Sequence, residues 1–390
     1  MKISPHRSVT ELFQEKTIPY EGLTYDDVLL LPGFTDFKRS EVQLKTVIHP
    51  KIVLTLPVIS SPMDTVTEDA MAIQMAEYGG LGIIHRNLDI KKQADMVKQV
   101  KKATVQNTTY AAVDEKGRLL VGAAVGTGTD FDERVEELVK AEVDIIVIDS
   151  GHGNTQYMVD GVKKIKKDYP HMVVMAGNVA TYEGAKTLIE AGADSIRVGM
   201  GPGSICTTRV ITGMGVPQLT AVQQAVLAAE GTNISIIADG GIKQMGDMAK
   251  ALAFGAQAVM LGSLLARFEE SPGTSITIHE KKYKQYRGMG SVAAMKKGGA
   301  ERYGQSKDTD EKKLIPEGVE GLVEMKGRVK DYLFQIAGSL KSSLYYIGAR
   351  TLEEYFVKAR YIKITNASLI ESHPHSIVLE NAGVNYNNQK

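Results

Sequence analysis

Cysteine is almost missing from this sequence, which has one thiol, Cys206, in 390 residues. A single thiol excludes an internal disulfide framework and any zinc site built from several thiolates, and it suits a reducing compartment. Net charge is missing as well, because 46 basic side chains balance 46 acidic ones. With no global field to hold a polyanion, nucleic acid or an anionic membrane is not expected as the main partner. No apolar run approaches the ~18 residues of a membrane span. The opening MKISPHRSVTELFQEK is too polar for the core of a signal peptide. The expectation is a soluble, cytoplasmic protein. What is present suits a globular chain: 43% hydrophobic residues, enough for a sizeable core, and 38 glycines.

Eight short segments rich in Val, Ile and Ala recur between Pro57 and Gly262: PVISS, LGIIH, VGAAVG, DIIVIDS, MVVMAGN, DSIRVG, ISIIADGG and AVMLGS. They do not alternate apolar with polar residues, the pattern of strands covered on both faces. Amphipathic stretches lie between them, among them DERVEELVKA, AKTLIEAG, AVQQAVLAA and TEDAMAIQMAEYG, for which Thr67 is the expected cap. The strands start near positions 57, 81, 121, 145, 172, 194, 234 and 257. A βα unit needs about 25–30 residues, and eight units are the number that closes. The spacing therefore predicts an α/β fold, a parallel (β/α)8 TIM barrel over residues 57–267, with an open doubly wound sheet as its rival.

Two intervals are longer than one unit needs. One holds the polar stretch 103–116 (ATVQNTTYAAVDEK), read as a loop or the scar of an insertion; the other holds GPGSICTTRVITGMGVPQ. Residues 1–56 form an N-terminal segment in which 23–32 (LTYDDVLLLP) reads as a strand or barrel plug. Residues 268–321, rich in Lys, Gly and Tyr, are too long for an idle connection and read as a flap with a finger-like insertion. Residues 322–390 read as two shorter helices and a polar tail.

In a barrel, residues just after each strand share one face, which carries the active site. Those positions hold Ser61 and Met63, His85 and Arg86, Asp149 and His152, Asn178, Cys206, Asp239, and Gly262 with Ser263. A single polar strand end means little, because chains turn there; enrichment at almost every end points to function. The last two ends, ADGGI and LGS, suit a phosphate. Gly240, Gly241 and Gly262 permit close backbone approach, Ser263 adds a hydroxyl, and Asp239 is placed to accept bonds from ribose hydroxyls.

The sixth end leads into GMGPGSICTTR, residues 199–209. A free cysteine is most often a small buried hydrophobe. Cys206 instead sits in a Gly/Pro-built loop on the active face, beside Ser204 and Thr207–Thr208, where backbone donors favour thiolate. Several glycines also turn carbonyls outward, as a monovalent or hard cation requires. No second cysteine can resolve a disulfide, so the expected use of the thiol is a covalent adduct with an electrophilic carbon. In the flap, Lys281, Lys282 and Lys284 read as a surface charge run, whereas Tyr286-Arg-Gly-Met-Gly290 suggests backbone contact with a ligand and a neutral phosphate donor.

The motifs SSPMDTVTE, DSGHGN, GPGSICTTR, GMGSVAAM, ERYGQ and PEGVEG, spread from about Gly22 to His375, together resemble the inosine-5′-monophosphate (IMP) dehydrogenase family. The resemblance implies a barrel forming homotetramers that oxidises IMP to XMP with NAD+, in guanine nucleotide biosynthesis, activated by a monovalent cation such as K+. It implies that Cys206 attacks C2 of the purine, that hydride leaves for the nicotinamide, and that the thioimidate is hydrolysed after the flap enters the vacated dinucleotide site. Arg302 of the Arg302–Tyr303 pair would activate water, with Thr208 and Glu317 as a second relay. The matching substrate positions are Ser61, Met63, Ser204, Asp239, Gly241, Gly262, Ser263, Tyr286, Gly288, Met289, Gly290 and Glu317. Those for NAD+ are Asp149, Ser150, Asn178 and Arg197. The cation would take carbonyls of Gly201, Gly203 and Cys206, with Glu371, Ser372 and His373 supplied by a neighbouring subunit.

Most members of the family carry a tandem CBS regulatory module where this chain has only 103–116, so regulation through that module is not expected here. Two other readings stand beside this one. GMP reductase shares the barrel, the cysteine loop and the covalent intermediate but deaminates GMP with NADPH; it lacks the Arg-Tyr pair and the ESHPH tail. A non-catalytic nucleic-acid-binding barrel would use the basic flap, against which the zero net charge weighs.

Overall fold

In a computed structural model of the protein, the structure describes residues 21–305 and 309–378, with 380, 383, 385 and 386. Among the described residues, three short strands precede the barrel: β1 (Val28–Leu30), β2 (Thr46–His49) and β3 (Ile52–Leu54). The barrel strands are β4 (Val58–Ser60), β5 (Leu81–Ile84), β6 (Val121–Val125), β7 (Ile145–Asp149), β8 (Val173–Val179), β9 (Ser195–Val198), β10 (Ser235–Asp239) and β11 (Ala258–Leu261). All neighbours are parallel, and β11 pairs with β4 (Val259↔Val58, Leu261↔Ser60), which closes the ring. The sheet is therefore a barrel and not the open rival.

Closure explains why these strands lack alternation. Ile59, Ile83, Val147, Met175, Ile237 and Met260 belong to the cluster that fills the interior. Ile84, Ile146, Ile148, Val174, Ile196 and Val259 belong to the cluster that contains the buried faces of the surrounding helices. Both faces are dry, so both are apolar.

The bottom is stoppered by the β2–β3 hairpin. Ile48, Ile52 and Leu54 join the interior cluster, Ser235 Oγ donates to Ile48 O at 2.8 Å, and Thr46 Oγ1 donates to Gln257 O at 2.8 Å. Of the strand or plug expected from 23–32, the strand is found, as β1, which pairs antiparallel with β15 (Tyr361–Lys363) near the C-terminus, while the plug lies in β2–β3. Thr67 is likewise not a helix cap. Glu68 holds that position before Asp69–Glu77, while Thr67 Oγ1 is buried and bonded at 2.8 Å to Ser60 Oγ and Ser61 O.

The 103–116 stretch makes a compact connection. Glu77 accepts the Gln106 and Asn107 amides at 2.9 and 2.8 Å. Lys101, almost wholly buried, meets Asp114 at 3.1 Å, Asp144 at 2.6 Å and Leu119 O at 3.1 Å.

After the barrel, β12 (Ser275–Ile278), β13 (Lys281–Arg287) and β14 (Glu320–Glu324) form an antiparallel sheet. β12 is exposed along its length, whereas the end of β13 is buried where it meets the barrel mouth. Lys284 departs from the surface run expected of it: it is buried, and Nζ donates to Ser271 O at 2.5 Å. The long helix Val329–Ile347 buries Leu333, Ile336, Leu340 and Leu344. Among the described residues, no helix is long and apolar enough to cross a membrane.

Candidate active site

The C-terminal ends of the strands open into a cavity of about 760 Å³. It is lined by Ser61, Met63, Asn178, Arg197, Gly201, Gly203, Ser204, Cys206, Thr208, Asp239, Gly241, Gly262, Ser263, Tyr286, Gly288, Met289, Arg302, Tyr303 and Glu317. Most of the expected residues therefore meet in one place. They come from five barrel strand ends and from the flap, which only a closed barrel brings together.

Cys206 stands half-buried on the loop after β9. Its thiol donates to Thr208 Oγ1 at 3.2 Å, and that hydroxyl donates to Glu317 Oε2 at 2.8 Å. Backbone pairing fixes this alignment. Thr207 N donates to Glu317 O at 3.0 Å, Val319 N to Ile205 O at 2.9 Å, and Glu317 N to Gly290 O at 3.0 Å. The cysteine loop, the YRGMG segment and the PEGV segment are thus laced side by side. The resulting path runs from a thiol through a hydroxyl to a carboxylate.

Opposite lies a cradle of small and neutral polar groups. Gly240 and Gly241 adopt left-handed backbone, φ +92° and +77°, and a Cβ on Gly241 would meet Pro202 Cβ at 3.2 Å. A Cβ on Gly262 would lie 3.0 Å from Tyr286 Oη. Burial pushes the Tyr286 hydroxyl well above its usual range, only partly opposed by its hydrogen bond with Ser204, so it stays a neutral donor. Arg287, by contrast, is spent on structure: Nε and Nη2 reach Asp64 at 3.1 and 2.5 Å, anchoring the YRGMG segment to the loop after β4.

A second polar set crosses the mouth. Asp239 Oδ2 accepts Asn178 Nδ2 at 2.7 Å and Arg197 Nε at 2.9 Å, leaving Oδ1 for a ligand hydroxyl. Asp149, only 4% exposed, takes Arg197 on one oxygen and Arg302 on the other. Burial alone would raise its pKa, but Arg302 and Arg197 outweigh burial and hold the carboxyl below its usual range. Burial likewise disfavours the charge on Arg302, yet Asp149 dominates and holds that guanidinium protonated. Gly151 N donates to Arg302 O at 3.1 Å, so the flap is docked in the mouth. Tyr303 packs against Gly151 and Gly290, and burial raises its pKa.

The donors and acceptors here suit a dinucleotide, were Arg302 to withdraw. Asp149 would regain a free carboxylate oxygen, and Asn178 Oδ1 is buried without a protein partner, an acceptor left for a ligand amide. Ser150 lies apart from the cavity lining, its hydroxyl donating to His152 O at 3.1 Å. The fit to a cation within one chain is partial. Gly203 O already accepts Cys206 N at 3.1 Å, and Arg209 Nη2 donates to Val216 O at 2.6 Å in the same loop. Glu371, Ser372 and His373 are exposed at the end of the helix Asn366–Glu371 and do not line the cavity. Three carbonyls fall short of the about six to eight oxygens a hard cation takes. Among the described residues, no group of three His, Cys, Asp or Glu side chains is arranged to hold a metal ion.

Sequence reasoning missed Gln218, whose buried Nε2 ties Val198 O to Asp239 O at 2.9 and 3.1 Å, and Asp64. Neither carries a local signal, because their partners are remote in sequence. His85, read as a strand-end candidate, is held by Glu68 at 3.1 Å and by the Asn87 amide.

A family model described as "IMP dehydrogenase / GMP reductase domain" matches residues 22–375. The chain is 45% identical to an inosine-5′-monophosphate dehydrogenase of Borreliella burgdorferi, over 92% of this chain and 98% of that protein. It is 44% identical to the protein of that name in Cryptosporidium parvum, over 94% and 98%. A third, from Aquifex aeolicus, is 40% identical over 94% and 98%, but its alignment spans 481 positions against 396 for the Borreliella protein. The Aquifex protein therefore carries residues that this chain lacks.

Proposed function

Because the chain belongs to the IMP dehydrogenase / GMP reductase family, we propose that this cavity oxidises IMP to XMP with NAD+ in guanine nucleotide biosynthesis, through a covalent adduct on Cys206. The observation that carries the reading is the Cys206–Thr208–Glu317 hydrogen-bond path, in one cavity with Gly241, Gly262, Ser263 and the Tyr286 hydroxyl.

Glu317 draws the thiol proton through Thr208, and Sγ adds to C2 of the purine. Gly241, Gly262, Ser204, Ser263 and the Tyr286 hydroxyl hold the 5′-phosphate, Asp239 accepts the ribose hydroxyls, and Ser61, Met63, Gly288, Met289 and Gly290 frame the nucleotide. This fixes C2 against the sulfur. Asp149, Ser150, Asn178 and Arg197 would hold the nicotinamide, which would supply the acceptor for the hydride leaving C2. Water then adds to C2 of the thioimidate, the C–S bond breaks, and the thiol is restored as XMP leaves.

For the hydrolytic half, Arg302 and Tyr303 of the docked flap orient the water. A base role for Arg302 requires its Asp149 pair to loosen, since that pair holds the guanidinium protonated. The Thr208–Glu317 path takes the water's proton once Glu317 has released the thiol proton to solvent, and a proton returns along it to Sγ as the C–S bond breaks. The docked Arg302–Tyr303 pair also favours hydrolysis over the reductive deamination of a GMP reductase.

The cation argument extends this reading to a homotetramer in which Glu371, Ser372 and His373 of one subunit complete a K+ site on the next, in a cytoplasmic enzyme. The test mixes protein with IMP and NAD+ in K+ buffer and follows NADH, with Cys206→Ala as control. NADH formation that this variant abolishes supports the reading. NADPH-dependent loss of GMP without NADH formation from IMP replaces it with the reductase, and salt-steep RNA binding with neither activity replaces it with the binding barrel.

A further inference from the structure

We propose that Arg86 is a positioning residue for the hydrolytic step, and that its pair with Glu301 is the latch holding the flap over Cys206. Arg86 follows β5 on the barrel, and its side chain is only 9% exposed. Its Nη1 lies 3.5 Å from Oε2 of Glu301, the flap residue next to Arg302. Both groups occupy recesses made by glycines of the loop after β6. A Cβ on Gly126 would sit 2.7 Å from Arg86 Nη1, and a Cβ on Gly128 would sit 2.5 Å from Glu301 Oε2. A side chain at either position would displace the flexible tip of Arg86 or Glu301, so these glycines leave the pair its room.

Charge accounting gives the pair its purpose. The mouth already holds Arg86 and Arg197 around Asp149 and Asp239, and the docking flap adds a third guanidinium, Arg302. Arg86 and Arg302 repel, and both draw on Asp149. Glu301 arrives with Arg302 and supplies the missing negative charge, so the flap docks as a neutral dipeptide. Without it, closure would drive one cation against another in a site with little water to screen them. Arg86 touches no reacting atom; it acts by setting the closed population of the flap.

This inference rests on the reading above, in which the flap and the dinucleotide take turns in the mouth. The test compares Glu301→Gln, which alters a half-exposed flap residue and spares the barrel, with Arg86→Gln and the double variant. Pre-steady-state mixing with IMP and NAD+ is followed by steady-state turnover and by inhibition with added NADH. Glu301→Gln is expected to keep the NADH burst and slow steady-state turnover by roughly twofold to fivefold. NADH should then inhibit more tightly by a similar factor, because a weaker latch competes less well. The double variant should turn over no more slowly than the worse single one. A burst that falls with turnover, NADH inhibition that is unchanged or weaker, or multiplying losses in the double variant would overturn the latch. If the unaltered enzyme shows no NADH burst at all, the proposed function itself fails and the latch falls with it.

Discussion

Replacing Asp149 with Asn separates what the barrel needs from what the flap needs. The carboxylate is 4% exposed and accepts two guanidiniums, one from barrel residue Arg197 and one from flap residue Arg302. Asn keeps one acceptor oxygen but turns an NH2 toward the other guanidinium, donor against donor. Charged hydrogen bonds of this kind contribute about 1.5–3 kcal/mol each, and breaking a buried pair costs about 3–5 kcal/mol in total. Arg197 retains Asp239 at 2.9 Å, so the barrel share of the loss is the smaller one. The Arg302 share falls on flap docking, where about 1.5–3 kcal/mol corresponds to a loss of roughly 10- to 100-fold in the closed population. Turnover should fall by that factor, with the fold intact by circular dichroism.

The pH dependence follows from the sign of the shift. The folded Asp149 pKa lies below its unfolded value near 3.9. Its contribution is complete above about pH 4 and is lost as pH drops through the folded value. The stability gap between wild type and variant, measured in urea, should therefore narrow below about pH 4. Turnover within twofold of wild type, or a gap that widens with acid, would refute the assignment of Asp149 as the hub joining barrel and flap.

Other residues give narrower tests. Tyr286→Phe deletes a neutral phosphate donor and should raise KM for IMP about tenfold with little change in kcat. Thr208→Val interrupts the path to Glu317. It should slow turnover about as much as Glu317→Gln, and the double variant should be no slower than either, since the two act as one unit. Lys101→Met strands the Asp144 carboxylate in the wall opposite the active face, while Asp114 keeps Arg118 at 2.9 Å. Unfolding in urea should show a loss of about 3–5 kcal/mol while KM for IMP stays unchanged.

The barrel was legible because its strands are buried on both faces, which leaves unbroken Val/Ile/Ala runs that few other environments produce. The strand ends then named Asp149, Asn178, Cys206, Asp239 and Ser263 by position alone. The stopper was harder to see. TVIHPKIVL is a short hairpin whose outward side is half-polar, and the more apolar LTYDDVLLLP competed for the same role. Pairings across the fold left no local trace. Asp64 and Arg287 lie 223 positions apart and Thr208 and Glu317 109 apart, and each becomes a pair only when the ring closes. Lys284 looked like surface charge because buried lysines satisfied by backbone carbonyls share the composition of exposed ones. Arg302 could be read as a base from its motif, but not as the partner of Asp149.

The most direct measurement is denaturing mass spectrometry of the enzyme quenched during turnover with IMP and NAD+. The account predicts a purine nucleotide attached to the peptide containing Cys206, appearing with the NADH burst and decaying as substrate is exhausted. Sustained NADH formation with Cys206 unmodified throughout, or undiminished in Cys206→Ala, would contradict it.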